Sequence, residues 1–303
     1  MDSGTALHGR RQVIDRFAQA LERLGSTELH VRVGGVYSLE HVLRNCAEHH
    51  NDIVEVLAAF VRAGAARSTI ERGYGTWVHP VAGTLPGQPG MPAPDVQAAL
   101  TVLAHRPPRP ERQKINLAGL DLAGVWLPGA DLVNVWFMDA DLAAAMLDHA
   151  LLYHACLRDA DLTRAHLDSA DLTDAVLENA DLSRADLKNA NLTEAFFGNA
   201  NLTRADLNDA NLTDAFFGNA NLTCADLGNS DLTRAHFDGV DLTGAHLGPD
   251  ALAVPEGWTV DPTGKLERDL QEQPPHRTGW RLTLPGTASP GRTGTVQLRD
   301  QQR

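Results

Sequence analysis

Aromatic side chains are scarce in this 303-residue chain: 5 Trp, 3 Tyr and 8 Phe, 5% of the whole. Cysteine is scarcer still. Cys46, Cys156 and Cys224 are odd in number and far apart, which excludes a disulfide framework and the paired spacing of a thiolate metal site. Positive charge is in deficit, with 26 Lys and Arg against 39 Asp and Glu and a net charge of −13. That balance argues against general nucleic-acid binding, which needs clustered cations to displace counterions. No apolar run approaches the length of a membrane span, and the opening stretch MDSGTALHGRRQVIDRF lacks the apolar core of a signal peptide. The expected location is cytoplasmic, with no membrane partner. Phosphate-binding loops, G-x-S-x-G elbows, C-x-x-C pairs and H-E-x-x-H helices are all missing, so the expectation is no enzyme, no cofactor and no metal.

What is present is order. Apolar content of 43% supports a buried core and excludes wholesale disorder. The acidity is confined: residues 115–249 hold 21 acidic and 6 basic side chains, and the rest of the chain is close to neutral. In that same segment Leu or Phe recurs every fifth position from Leu117 to Leu247, 27 units without one insertion. Two residues earlier the position is almost always Ala, as in Ala160-Asp-Leu-Thr-Arg and Ala170-Asp-Leu-Thr-Asp. A period of five matches neither helix nor plain strand. It fits a short alternation, with Ala and Leu facing inward and the residue between them outward, reset by a turn in which Thr, Asp, Asn, Ser and Gly predominate. One small and one large inward residue per unit describe a narrow packed rod, stabilised by stacking of neighbours and needing capped ends.

These tandem A-(D/N)-L-x-x units resemble the pentapeptide-repeat family. The resemblance implies a mainly β fold: a right-handed quadrilateral β-helix with four repeats per coil, here preceded by a small α-helical region. At about 4.8 Å per stacked strand the rod is about 32 Å long. The stretch Val31-Arg-Val-Gly-Gly-Val-Tyr-Ser-Leu resembles the leader found before such repeats in many actinobacterial proteins. The expected organisation is a helical region at 1–106 with a Gly/Pro-rich loop at 64–94, a linker at 107–114, the rod at 115–249, a C-terminal cap at 250–266 and a disordered tail at 267–303. In the helical region one apolar face is Val13, Ile14, Phe17, Leu21 and Leu24, with Gly25 as C-cap. Val36, Leu39, Val42, Leu43 and Cys46 form a second. Ile53, Val56, Leu57, Phe60 and Val61 form a third, capped by Asn51, and Asp95 caps a short helix through Leu103 that is placed against the first coil.

Histidines are numerous but unpatterned. His41, His49 and His50 are read as solvated surface, and His166, His236 and His246 as variation in the slot otherwise held by Asp or Asn. Asn191, Asn201, Asn211 and Asn221 each begin N-L-T, a glycosylation match that the repeat generates by itself. Two functional readings remain. In the first, the chain is a non-catalytic scaffold for a protein partner or a second copy of itself. Positions twenty apart share a face, which places Trp136, Cys156, Val176, Phe196 and Phe216 in one file where polar residues belong, with Trp136, Val176, Phe196 and Phe216 as candidate interface. The Trp126–Trp136 end is expected to lie under the N-terminal helices. The second reading follows from the resemblance, because some members of the family mimic DNA and bind DNA gyrase. A topoisomerase would then meet the acids of the rod, with Asp168, Asp174, Glu178, Glu194, Asp209 and Asp214 as candidate acidic face. Of the 21 rod acids, however, 11 stand in the slot where the motif itself asks for Asp or Asn. The chain also shows neither an amphipathic C-terminal helix nor a loop interrupting the rod, the features of the gyrase-binding relatives.

Overall fold

The computed structural model describes residues 3–66, 91–248, 253–255, 258–261, 263–268 and 280–282. From 116 to 246 the chain winds in coils of twenty residues. Each unit contributes one short rung, and each rung bridges in parallel to the rung twenty residues on: Asn116 to Trp136, Asp161 to Asp181, Asp226 to His246. Four files of rungs therefore make four faces. Inside stand the Ala and Leu of every unit, nearly all fully buried, with Phe137, Phe197 and Phe217 in place of Leu on one side.

The hydrogen bonding of one unit explains its sequence. In Asp161-Leu-Thr-Arg-Ala165, the amides of Asp161, Leu162 and Arg164 donate to the neighbouring coils, at Ala140 O, Asp181 O and Ser183 O. The amide of Ala165 closes the turn onto Leu162 O. One N–H remains, that of Thr163, and it donates to the Asp161 carboxylate at 2.9 Å. The same bond recurs in the units of Asp181, Asn201 and Asn221. Asp or Asn is thus preferred before Leu because its oxygen satisfies the only backbone donor that coil stacking leaves over. The residue two after each inward Leu or Phe is left-handed at every corner from Gly119 to Gly244, and at 21 of these corners, Asn134 to Arg234, it is not glycine.

The helices are α1 (Ser3–Leu24), α2 (Leu29–Asn45), α3 (His50–Gly64) and α4 (Pro94–Ala104). α4 is the buried centre, packed by α2 and α3, while α1 lies on α2. The close approach of α1 to α2 is set by Gly35, where a Cβ would lie 3.1 Å from Ala20 O and from the Arg23 Cβ. This turns Ala20 fully inward and leaves Ile14 and Leu21 exposed, which corrects the apolar face read for α1.

The caps also differ from expectation. Gly25 follows α1 without a left-handed φ. The N-cap of α3 is His49 rather than Asn51, whose side-chain oxygen instead accepts the Arg112 amide. Asp95 lies within the first turn of α4 and binds Arg32 at 2.6 Å.

The helical head sits on the end of the rod and not along a face. The first coil has N–H groups with no coil before them to accept. The Asp121 amide donates to Ala65 O at the end of α3, and the Asp131 amide to Ala104 O at the end of α4. The Trp126 amide donates to the Gln97 side chain. Helix C-termini, with spare carbonyls and negative dipole ends, thus cap a β-helix edge rich in donors. Arg106 locks the joint through Leu103 O, Asp131 O and the Glu111 carboxylate. Trp126 and Trp136 consequently remain 56% and 38% exposed, so the expected cover by the helices is not there. Lys114 lies over the Trp136 ring, 6.0 Å from its centroid.

At the other end Leu266 is fully buried, and its amide donates to Ala245 O where a further coil would. Two small antiparallel pairs follow the rod: β1 (Ala253–Pro255) with β4 (Trp280–Leu282), and β2 (Trp258–Val260) with β3 (Leu266–Arg268). The strand Trp280–Leu282 corrects the reading of 267–303 as a structureless tail; residues 269–279 and 283–303, like 67–90 of the Gly/Pro-rich loop, lie outside the described residues.

Candidate interaction faces of the rod

The candidate interface residues share one file. Bridges run from Trp136 to Cys156, Val176, Phe196, Phe216 and on to His236. Phe196 and Phe216 stack with centroids 5.1 Å apart and planes 4° apart, and His236 continues the stack at 4.6 Å and 9°. Directly inside, Phe197, Phe217 and Phe237 form a second stack at 4.8 and 5.0 Å. Because the ring faces cover one another along the rod axis, what Phe196 and Phe216 present outward is ring edge. They are 37% and 39% exposed. His236, read as surface variation, is the third ring of this stack; its twenty-residue offset from Phe216 was the available signal.

The file has two unlike borders. On one side run the corner residues Asp174, Glu194, Asp214 and Arg234, all left-handed. Asp214 is gripped by Arg234 through Nε and Nη2, one to each carboxylate oxygen, which holds its carboxyl below the ordinary range. Asp174 faces His154 at 3.7 Å. Glu194 lies within the field of Arg234 but, among the described residues, forms no ion pair. On the other side run Glu178, Gly198, Gly218 and Asp238. Glu178 pairs with Arg158. A Cβ added at Gly218 would meet nothing within 4 Å, and one at Gly198 would meet only the Glu178 Cγ at 3.6 Å and the Gly218 carbonyl at 4.0 Å. Since Phe196 and Phe216 cannot accept as Asp or Asn would, the N–H groups of Gly198 and Gly218 have no acceptor among the described residues.

The six acids named from sequence do not form one face. Asp174, Glu194 and Asp214 share the corner just described, Glu178 stands on the opposite border of the aromatic file, and Asp168 and Asp209 belong to a further corner. Asp168 accepts from Ser169 and Asn189. Acids do line up in the slot before Leu, with Asp121, Asp141, Asp161 and Asp181 in one file. On the next face Lys188 bridges Asp186 and Asp206 at 3.9 and 2.9 Å. Burial opposes ionisation of Asp206, yet its bonds from Lys188 and Asn208 prevail and hold its carboxyl low.

The histidines bring no metal ligands together: among the described residues, no group of three His, Cys, Asp or Glu could hold an ion. His49 stacks on Phe17 at 5.7 Å. His50 corrects the surface reading. It is 1% exposed, its ring nitrogens have no hydrogen-bond partner among the described residues, and burial lowers its pKa despite the Glu111 carboxylate 3.8 Å away. The N-L-T asparagines serve the turns: Asn191 accepts from the Thr193 amide and hydroxyl. A 450 Å³ cleft lies between linker and rod, bordered by Arg106, Arg109, Arg112 and Tyr153. Two of its guanidiniums are committed, Arg106 as above and Arg109 to the carbonyls of Leu43, Cys46 and Arg44.

Family comparison agrees with the geometry. Residues 170–247 match the pentapeptide repeat region, and residues 145–184 match eight copies of the pentapeptide repeat. No curated protein matches the sequence. Among solved structures, the chain is 19% identical to QnrB1, a plasmid-mediated fluoroquinolone resistance protein, over 45% of this chain and 82% of that one, with a TM-score of 0.24. It is 28% identical to HetL, a pentapeptide repeat protein involved in heterocyst differentiation regulation in the cyanobacterium Nostoc, over 45% and 77%, with a TM-score of 0.17. It is 34% identical to Rfr23, a pentapeptide repeat protein of the cyanobacterium Cyanothece, over 32% and 58%, with a TM-score of 0.14. Over residues 145–247, the chain is similar to the pentapeptide-repeat family.

Proposed function

We propose that this chain is a non-catalytic, cytoplasmic interaction protein whose rod offers its faces to a protein partner, with Val176, Phe196 and Phe216 as the contact file. One observation carries the reading. Two large apolar rings stand outward where the motif places Asp or Asn, and the helical head is engaged on the rod's end instead of covering them. A contiguous apolar surface of this kind is characteristic of an interaction site. The coil is right-handed in this reading, as similarity to the pentapeptide-repeat family implies. A non-catalytic role is supported by the employment of the slot carboxylates, which hold turn amides. The three free thiols fit a reducing compartment. The test replaces Phe196 and Phe216 by Asp and follows partner capture and oligomeric state. If neither changes in a folded variant, the file is not a contact surface.

A second reading, a DNA mimic directed at a topoisomerase, draws support from the four stacked carboxylates Asp121, Asp141, Asp161 and Asp181. It is weaker because those carboxylates are engaged in the turns and the remaining acids are scattered over several corners. A gyrase supercoiling assay decides it. Absence of any effect at micromolar protein, with or without a quinolone, removes the mimic.

A further inference from the structure

From the surroundings of the Phe196–Phe216 file we infer the chemistry of what docks there: an extended protein segment presenting an aromatic side chain flanked by Arg or Lys. The inference rests on the interaction reading above and is carried by three features that coincide at one place.

The first is ring orientation. Phe196, Phe216 and His236 are stacked along the rod axis, so their faces are occupied and only their edges reach outward. Ring edges carry partial positive charge and pack best against the face of another ring. A second copy of the same file would oppose edge to edge. Nor could its rings slot between these, because the stack is already closed at about 5 Å, roughly the spacing of successive strands in a sheet. An aromatic side chain lying flat across both edges fits; a mirror image of the file does not.

The second is the glycine border. Gly198 and Gly218 leave a shelf open beside the rings, and each exposes an N–H without an acceptor among the described residues. In other units that N–H points to the Asp or Asn oxygen outside the rod, so here it points to whatever lies on the file. Main-chain carbonyls of an extended segment supply that acceptor. The rung amides of the rod are taken up by the axial stack, so the segment cannot join as a further strand and must bind through these two donors and side chains.

The third is charge. Glu194, Asp214 and Asp174 run along the opposite border, with Glu178 and Asp238 at the ends of the shelf. Among the described residues Arg158 pairs with Glu178 and Arg234 with Asp214, and His154 faces Asp174. Glu194, level with Phe196 and without an ion pair among the described residues, is the natural seat for a cation beside the bound ring.

The probe is a short labelled peptide with two Trp and three Arg, measured by fluorescence anisotropy against the full chain, beside one comparator with Ala for Trp and another with Glu for Arg. The expected result is binding of the first peptide with both comparators at least tenfold weaker. The variant Phe196→Asn/Phe216→Asn should weaken the first at least tenfold. Asn occupies the same slot at Asn201 and Asn221, so the fold accommodates it, and an unchanged circular dichroism spectrum checks this. Glu194→Gln should weaken it about threefold at 50 mM salt and have little effect at 500 mM, where exposed charges are screened. Equal binding of the Trp-free peptide, or an unaffected double variant, overturns the inference. So does a dimer in sedimentation that the double variant abolishes while no peptide binds, since the occupant is then a second copy. A photo-crosslinker at position 218 separates the two levels. Capture of a protein in cells with all peptides silent refutes this chemistry but leaves the contact surface standing, and no capture with all peptides silent refutes both.

Discussion

The corner residues allow a prediction in which the usual order of side chains is reversed. Arg184 is exposed and has φ +61, one of an unbroken series of left-handed corners. An L-residue held there loses about 1–2 kcal/mol relative to right-handed backbone. Asn tolerates the region, Gly is indifferent to it, and a β-branched residue is least at ease in it. In an ordinary strand Val outranks Gly and Asn, on a scale spanning about 1 kcal/mol. At position 184 the order should invert: Asn and Gly above Arg by about 0.5–1 kcal/mol, and Val below Arg by about 1 kcal/mol.

A competing cause must be separated. Arg164, Arg184 and Arg204 occupy one corner file on successive coils, and among the described residues none of them has an ion pair. Two unit charges about 5 Å apart repel by roughly 0.8 kcal/mol in water, so any neutral residue at 184 gains something. Val, Gly and Asn share that gain equally, and in 1 M salt it is largely screened. The assay is the urea midpoint followed by circular dichroism at 0.1 and 1 M NaCl, for Arg184→Asn, Arg184→Gly and Arg184→Val. The difference between Asn and Val should be about 2 kcal/mol and insensitive to salt. If Val equals or exceeds Asn at either salt concentration, left-handed backbone does not govern these corners.

Three further outcomes follow. Phe217→Ala removes a fully buried ring between Phe197 and Phe237 and should cost about 3–5 kcal/mol, whereas Phe216→Ala, already 39% exposed, should cost about 1–2, both read from urea midpoints. Arg106→Ala leaves two carbonyls without a donor and takes the guanidinium from the Glu111 carboxylate at the joint and should cost about 3 kcal/mol, with limited proteolysis releasing the head before the rod is cut. Burial lowers the pKa of His50, so the unfolded chain binds a proton that the folded chain refuses; stability of the head should fall as pH drops below about 6.5, and His50→Leu should flatten that slope in pH-dependent hydrogen exchange.

The rod was readable because its signal is a period without an insertion: twenty-residue faces follow from counting, and with them the stacking of Phe196 on Phe216. The left-handed corners were legible only where Gly, Asn or Asp betrayed them. Arg204, Glu194 and His154 adopt the same φ and say nothing of it, since the stack imposes the conformation on whatever residue falls there. The head was readable as helices but not in its details, for a consistent reason. Asn51 and Asp95 have the chemistry of caps, yet tertiary partners claim them, Arg112 for one and Arg32 for the other. The placement of α4 against the first coil is legible in the sequence, but the expected cover of Trp126 and Trp136 fails because hydrophobic pattern speaks of faces. The decisive requirement was instead the set of donors on the first coil, which the ends of α3 and α4 satisfy.

That requirement also tells which residues of the rod can carry function. A repeat whose backbone needs Asp or Asn to hold its last amide will be acidic on every face whatever its purpose, so the acids in that slot are poor witnesses. Departures from the motif are better ones. Where no other acceptor steps in, as Asp148 does for the Asp168 amide, such a unit gives up a hydrogen bond inside the fold, worth about 0.5–1.5 kcal/mol, and leaves an amide to solvent. The file of Trp136, Cys156, Val176, Phe196, Phe216 and His236 gives it up six times in succession on one face, while the face from Asp121 to Asp241 never does. The rod is therefore asymmetric in a way its net charge conceals. The face from Asp121 to Asp241 is wholly maintained by the repeat, and on the face from Trp136 to His236 the repeat's own bonding is relinquished where an apolar contact, with two waiting donors beside it, takes its place.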